Sequence, residues 1–150
     1  MKKVVFMNFS PDKSGNILRI GKRLLKDSDY AILQMSDFKI RQYGQVFDDN
    51  QISAVFQKIK DKDIILTGTP VYWYTVSGIL KTFIDRIYLL KEKERYFFAQ
   101  GSAPDQNTVE RIGNLANRFS QMRRKAIKSV IVDFSQGHKI ISGMSIHCSV

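Results

Sequence analysis

The chain has 150 residues, enough for one domain around a single core, and its 43 % apolar and 25 % charged residues are an ordinary globular balance. That composition excludes a chain disordered throughout, and no apolar run reaches the length of a membrane-spanning helix. The net charge of +10 favours anionic partners such as nucleotides or phosphate-bearing cofactors, without choosing among them or excluding a merely solvated basic surface.

The opening MKKVVFMNF is too short for a signal core and lacks a small-residue cleavage site. It reads better as a first strand, Val4 to Phe9. The single cysteine, Cys148, rules out an intrachain disulfide and fits a reducing, cytoplasmic setting. After SPDKSGN, residues 10 to 16, the apolar positions Ile17, Ile20, Leu24 and Leu25 recur at helical spacing. Tyr30 to Met35 reads as the second strand. Asp49 or Asn50 then caps a helix with Ile52, Val55, Phe56 and Ile59 on its apolar face.

DIILTGTP, residues 63 to 70, reads as a buried strand stopped by Gly68 and Pro70. Val76, Ile79, Leu80, Phe83, Ile84 and Ile87 follow at steps of three and four, the clearest helix of the chain. RYFFAQG, 95 to 101, is the fourth strand. A helix over 105 to 124 carries Val109, Ile112, Leu115, Ala116 and Phe119, and SVIVDF, 129 to 134, is the fifth strand. Strands alternating with helices imply parallel units with right-handed crossovers, hence an α/β sheet covered on both faces. The closing HKIISGMSIHCSV is too short and too β-like for a covering helix, so one face is expected to lack cover, which a homodimer would supply.

Ligands of such sheets sit beyond the carboxyl ends of the strands, where the strand order switches. In the order 2-1-3-4-5, the first and third strands flank that point. SPDKSGN lies there, with free N–H groups and a helix dipole. Ser10, Ser14 and Asn16 offer polar groups, Lys13 a charge and Gly15 a close backbone approach. A plain turn with a helix cap uses the same residues. TPVYWYTVSG, 69 to 78, brings Tyr72, Trp73 and Tyr74 to the same end. Three successive aromatics cannot all enter one core, so at least one faces solvent or a flat ligand; the competing reading is a hydrophobic cap. AQGSAPD adds Gly101 and Ser102 at a third strand end.

With these stretches and DDNQISAVFQKIKDKDIILTGTPVYWYTVSGILKTFIDR, the chain resembles the flavodoxin-like NAD(P)H-dependent FMN reductases and related oxidoreductases. PVYW followed by SGILKTFIDR is the most specific part. The resemblance implies a flavodoxin-like three-layer sandwich over residues 1–150, one domain, with the usual final helix missing or replaced. It implies FMN, with NAD(P)H as co-substrate. Ser10, Ser14, Gly15 and Asn16 would hold the phosphate, with Lys13 and Ile17 in the same loop. Pro70, Val71, Tyr72 and Trp73 would run beside the isoalloxazine ring, with Tyr74 next to them. Gly101 and Ser102 would close its other edge. Hydride would pass from nicotinamide to the flavin and then to a quinone, a flavin or another small acceptor, with no side-chain acid or base required.

Two residues depart from the family pattern. Asp12 stands where a basic residue is usual, and Ile17 where Thr or Ser is usual. Some relatives carry a cysteine cluster in the loop before Asp48-Asp49. Here FKIRQYGQVFDD holds none, which excludes iron–sulfur ligation there. Asp85 and Arg86 read as an exposed helix side. Arg123, Arg124, Lys125 and Lys128 read as a solvated helix end rather than a nucleic-acid surface. His138, His147 and Cys148 lack metal-site spacing. Two alternatives stay open: an electron carrier of the flavodoxin kind, against which the positive charge argues, and a flavin-free binding module.

Overall fold

The computed structural model describes residues 2–87, 93–102, 105–121 and 130–134. Five parallel strands form the sheet in the order β2-β1-β3-β5-β6, and β4 is a short antiparallel addition to the end of β3. In chain order the strands are β1 (Val4–Asn8), β2 (Tyr30–Gln34), β3 (Ile64–Tyr72), β4 (Thr75–Val76), β5 (Glu94–Gly101) and β6 (Val130–Phe134). The helices are α1 (Asn16–Leu24), α2 (Ile52–Ile59), α3 (Gly78–Ile84) and α4 (Gln106–Gln121). Leaving β4 aside, this is the expected 2-1-3-4-5 sheet. Its register sets Asn8 beside Gly68, and Pro70 beside Gln100.

Alternation along the strands sorts the core into two layers. Val5, Met7, Phe9, Ile65, Phe97 and Ala99 face α2, α3 and α4, whose Val55, Ile59, Leu80, Phe83, Ile112 and Ala116 are buried against them. Val4, Phe6, Ile64, Leu66, Tyr96 and Phe98 face α1, through Ile17 and Leu25. Among the described residues, α1 is the one helix whose buried side chains join that second layer. Two glycines let these layers close. A β-carbon at Gly21 would stand 2.3 Å from the Phe6 ring, and one at Gly68 would stand 2.4 Å from the Phe98 ring.

Several boundaries differ from the sequence expectation. Gly68 and Pro70 do not stop the third strand, which continues to Tyr72. Pro70 sits near the strand's exit, where few ladder partners are needed. Val76 belongs to β4, not to the following helix, which starts at Gly78 after a Ser77 cap. Neither Asp49 nor Asn50 is the residue at the start of α2, which is Gln51; the Asn50 side chain still accepts from the Ile52 N–H at 3.3 Å. Met35 ends up in a 3-10 turn over Met35–Asp37 and is fully buried. The clusters expected at 123 to 128 and 138 to 148, and the closing segment, lie outside the described residues.

Asp85 and Arg86 do more than face solvent. Asp85 pairs with Lys81 one turn back on α3, at 2.5 and 2.7 Å. Arg86 reaches the connection between β2 and α2, donating to the carbonyls of Arg41 and Gln42 and, at 3.4 Å, of Gln45. That guanidinium ties an irregular segment to the end of α3.

Candidate cofactor site at the carboxyl end of the sheet

Residues 9–16 leave β1 and enter α1 through a loop built by its own polar groups. The Ser10 N–H donates to Asn8 Oδ1 at 3.0 Å, and the Asp12 N–H to Ser10 Oγ at 3.1 Å. From the neighbouring strand end, Gln34 Nε2 donates to the Ser10 carbonyl at 2.6 Å, while Gln34 Oε1 accepts from Asn8 Nδ2 at 2.8 Å. Parallel pairing puts Asn8 and Gln34 side by side, so the first loop is anchored on two strands.

The Asp12 carboxylate turns back over the loop. Its Oδ1 accepts from the Ser14 N–H at 2.8 Å and from the Ser14 hydroxyl at 3.1 Å. These two bonds hold its carboxyl below the usual 3.8, with smaller help from the Gly15 N–H and the Arg19 guanidinium. Gly15 precedes α1, and a β-carbon there would stand 2.5 Å from Asp12 Oδ2. No side chain caps α1, in contrast to Ser77 on α3 and Asp105 on α4, whose Oδ1 accepts from the Thr108 N–H at 2.7 Å. Lys13 is paired with Asp37, and Asn16 accepts from Arg19 through its side chain. Ile17 is a core residue, packed towards Gly68; its side chain lies under the loop, not in it.

The second element is the hairpin of β3 and β4. Val71 pairs with Val76 and Tyr72 with Thr75, leaving Trp73 and Tyr74 as a two-residue turn. Both have left-handed backbones, with φ of 46° and 63°. A tight hairpin whose twist matches its strands requires positive φ at both turn positions, and Asn-Gly is the usual solution. Two bulky aromatics there are strained. Their rings are not covered: Tyr72 is 47 % exposed, Trp73 91 % and Tyr74 58 %. A hydrophobic cap over the core is therefore not what they form. Pro70 is buried within β3, and Val71 packs partly into the core and against Gly101, where a β-carbon would stand 3.0 Å away. Ser102 is exposed at the end of β5.

Ser77 fastens the two loops together, a role the sequence did not announce. Its hydroxyl donates to the Phe9 carbonyl at 2.9 Å and accepts from the Leu80 N–H at 3.3 Å. Its N–H donates to Thr69 Oγ1 at 3.1 Å, and both residues are buried. The Phe9 N–H donates to the Gly68 carbonyl at 2.9 Å. One serine thus joins the end of β1, the end of β3 and the start of α3. The helix-cap pattern in the sequence accounts for only one of these bonds, the one from the Leu80 N–H.

The arrangement is a polar loop and an uncapped helix start beside an exposed aromatic hairpin, at the switch in strand order. The model of the family described as NADPH-dependent FMN reductase matches residues 2–107. The chain belongs to that family. It is 28 % identical over 98 residues to an iron–sulfur flavoprotein of Archaeoglobus fulgidus, covering 56 % of this chain and 48 % of that one. It is 26 % identical over 92 residues to a Bacillus subtilis protein carrying the name NAD(P)H-dependent FMN-containing oxidoreductase YwqN, covering 56 % and 51 %. The chain thus spans about half the length of these curated relatives. Among solved structures, the apo form of an NADH:FMN oxidoreductase, EMOB, superposes with a TM-score of 0.69 at 17 % identity, covering 88 % of this chain and 75 % of that one. That likeness establishes the flavodoxin-like fold. Towards a flavin ring the chain offers the exposed rings of the hairpin and, beside Val71, the bare Gly101 backbone. At the phosphate end, the Ser14 donors are already taken by Asp12.

Proposed function

We propose that this chain is an FMN-dependent NAD(P)H oxidoreductase that passes electrons to a small acceptor such as a quinone or a free flavin. The observation that carries the reading is the exposed Tyr72-Trp73-Tyr74 hairpin joined through Ser77 to the loop that starts α1, within a family match that spans both loops. Ser10, Ser14, Gly15 and Asn16 would hold the phosphate. Tyr72, Trp73 and Tyr74 would flank the ring, with Pro70 and Val71 supporting them from β3. Gly101 and Ser102 would close the far edge. FMN, when bound, supplies hydride acceptance from the nicotinamide and electron delivery to the acceptor. The chain's own part is to place the ring and to keep one of its faces open for the nicotinamide. None of the described helices is long and apolar enough to cross a membrane, and the working form we propose is a cytoplasmic homodimer.

The test is a visible spectrum of the purified protein, as isolated and after FMN addition and desalting, followed by anaerobic mixing with NADPH or NADH. Flavin bands that bleach on mixing support the reading. Protein-bound flavin that neither nucleotide bleaches leaves an electron carrier as the better account. Absence of any flavin binding, by titration as well as after desalting, overturns the reading. Sedimentation velocity checks the dimer.

A further inference from the structure

The Asp12 carboxylate lies where the proposed function needs a phosphate. It is an anion, it takes the N–H and hydroxyl of Ser14, and it stands over Gly15, whose missing side chain makes the room. Lys13 is paired with Asp37, while Arg19 donates to the neutral Asn16 amide and acts on Asp12 only through space. Asp12 itself is exposed and no lysine or arginine pairs with it within the salt-bridge distance, so turning outward leaves behind hydrogen bonds but no ion pair among the described residues.

We propose that Asp12 is an internal stand-in for the flavin phosphate: it occupies the cradle in the flavin-free protein and must swing out before FMN can seat. This rests on the flavin reading above and adds a specificity to it. FMN has to displace a carboxylate of like charge, whereas riboflavin, with the same ring and no phosphate, does not. The chain therefore discriminates poorly between the two flavins and holds FMN as an exchangeable ligand. Swung out but still about 4 Å from a phosphate bearing −1.5 to −2 charges, and screened as in water, that unit charge corresponds to roughly a tenfold change in affinity or somewhat more.

The test compares FMN and riboflavin binding to the wild-type protein, Asp12→Asn and Asp12→Ala, read as quenching of flavin fluorescence at equilibrium. Asn keeps an acceptor for the Ser14 donors and removes only the charge; Ala removes both. Circular dichroism checks that each variant is folded, and Asp12 is exposed, so both substitutions leave the core alone. The expected result is FMN binding about tenfold tighter in D12N, with riboflavin changed less than about twofold. Tighter FMN binding in D12A as well agrees with the charge being the obstacle. Equal FMN affinities in wild type and D12N, with riboflavin still bound, overturn the role of Asp12 and leave the flavin reading standing. Looser FMN binding in both variants also overturns it and makes Asp12 a shaper of the loop. No binding of either flavin to any of the three proteins overturns both readings.

Discussion

Replacing Trp73-Tyr74 by Asn-Gly is expected to stabilise the protein while weakening its hold on flavin. The turn needs two positive φ angles, and the chain meets that need with two aromatics at 46° and 63°. An L-residue in the left-handed region costs about 1–2 kcal/mol, so the pair stores about 2–4 kcal/mol relative to residues suited to the turn. Asn recovers part of this and Gly nearly all of it, while the added freedom of Gly in the unfolded chain takes back roughly 0.5–1 kcal/mol. Because Trp73 and Tyr74 are largely exposed, little apolar burial is lost with them. The net expectation is a gain of about 1–2 kcal/mol, which for a chain of this size raises the unfolding midpoint by roughly 3–6 °C. Removal of an aromatic ring platform worth about 0.5–1.5 kcal/mol weakens flavin binding by roughly three- to tenfold. Thermal unfolding of the flavin-free proteins, followed by circular dichroism, reads the first effect, and fluorescence titration reads the second. A midpoint equal to or below that of the wild type refutes the strain argument. Undiminished flavin affinity refutes the placement of the ring against the hairpin.

Other consequences follow from the same geometry. Ser77→Ala removes the α3 cap and takes the buried hydroxyl donor from the Phe9 carbonyl, so it is expected to cost about 2–3 kcal/mol and to lower the midpoint by roughly 5–10 °C. A change below about 1 °C in differential scanning calorimetry would contradict the joining role of Ser77. Arg41 lowers the Asp49 carboxyl below its ordinary 3.8, chiefly by hydrogen bonding. The stabilisation from a depressed carboxyl is complete above the unfolded value and is lost as pH falls through the folded one. Asp49→Asn is therefore expected to lose stability at neutral pH and to show a shallower decline below about pH 4 than the wild type. Parallel pH–denaturation curves for the two proteins would remove Arg41–Asp49 from the account.

The parallel sheet was legible because buried strands such as IILTG and helical ladders such as Ile79, Leu80 and Phe83 carry strong periodic signals. The hairpin was not. A two-residue turn of this kind announces itself through Asn or Gly, and Trp-Tyr carries no such mark, so Tyr72 to Val76 read as loop and helix. The pairing of β3 with β4 overrode local propensity there. The candidate site was legible as loops but not as contacts. Asp12 could be read as a misplaced charge, yet its turn back onto Ser14 depends on three-dimensional reach. Arg86 was opaque for a different reason: its partners are backbone carbonyls, which every residue possesses and no sequence pattern displays.

That last feature bears on which substitutions the connection tolerates. The segment from Phe38 to Gln51 has no helix or strand of its own, and Arg86 holds it through the carbonyls of Arg41, Gln42 and Gln45. Such bonds are blind to side-chain identity. Substitutions at Gln42 and Gln45 are therefore expected to leave these bonds in place, whereas a substitution at Arg86 removes them. Arg86, just past α3, needs its guanidinium for this grip, whereas the carbonyls it holds at Gln42 and Gln45 would survive a change of side chain.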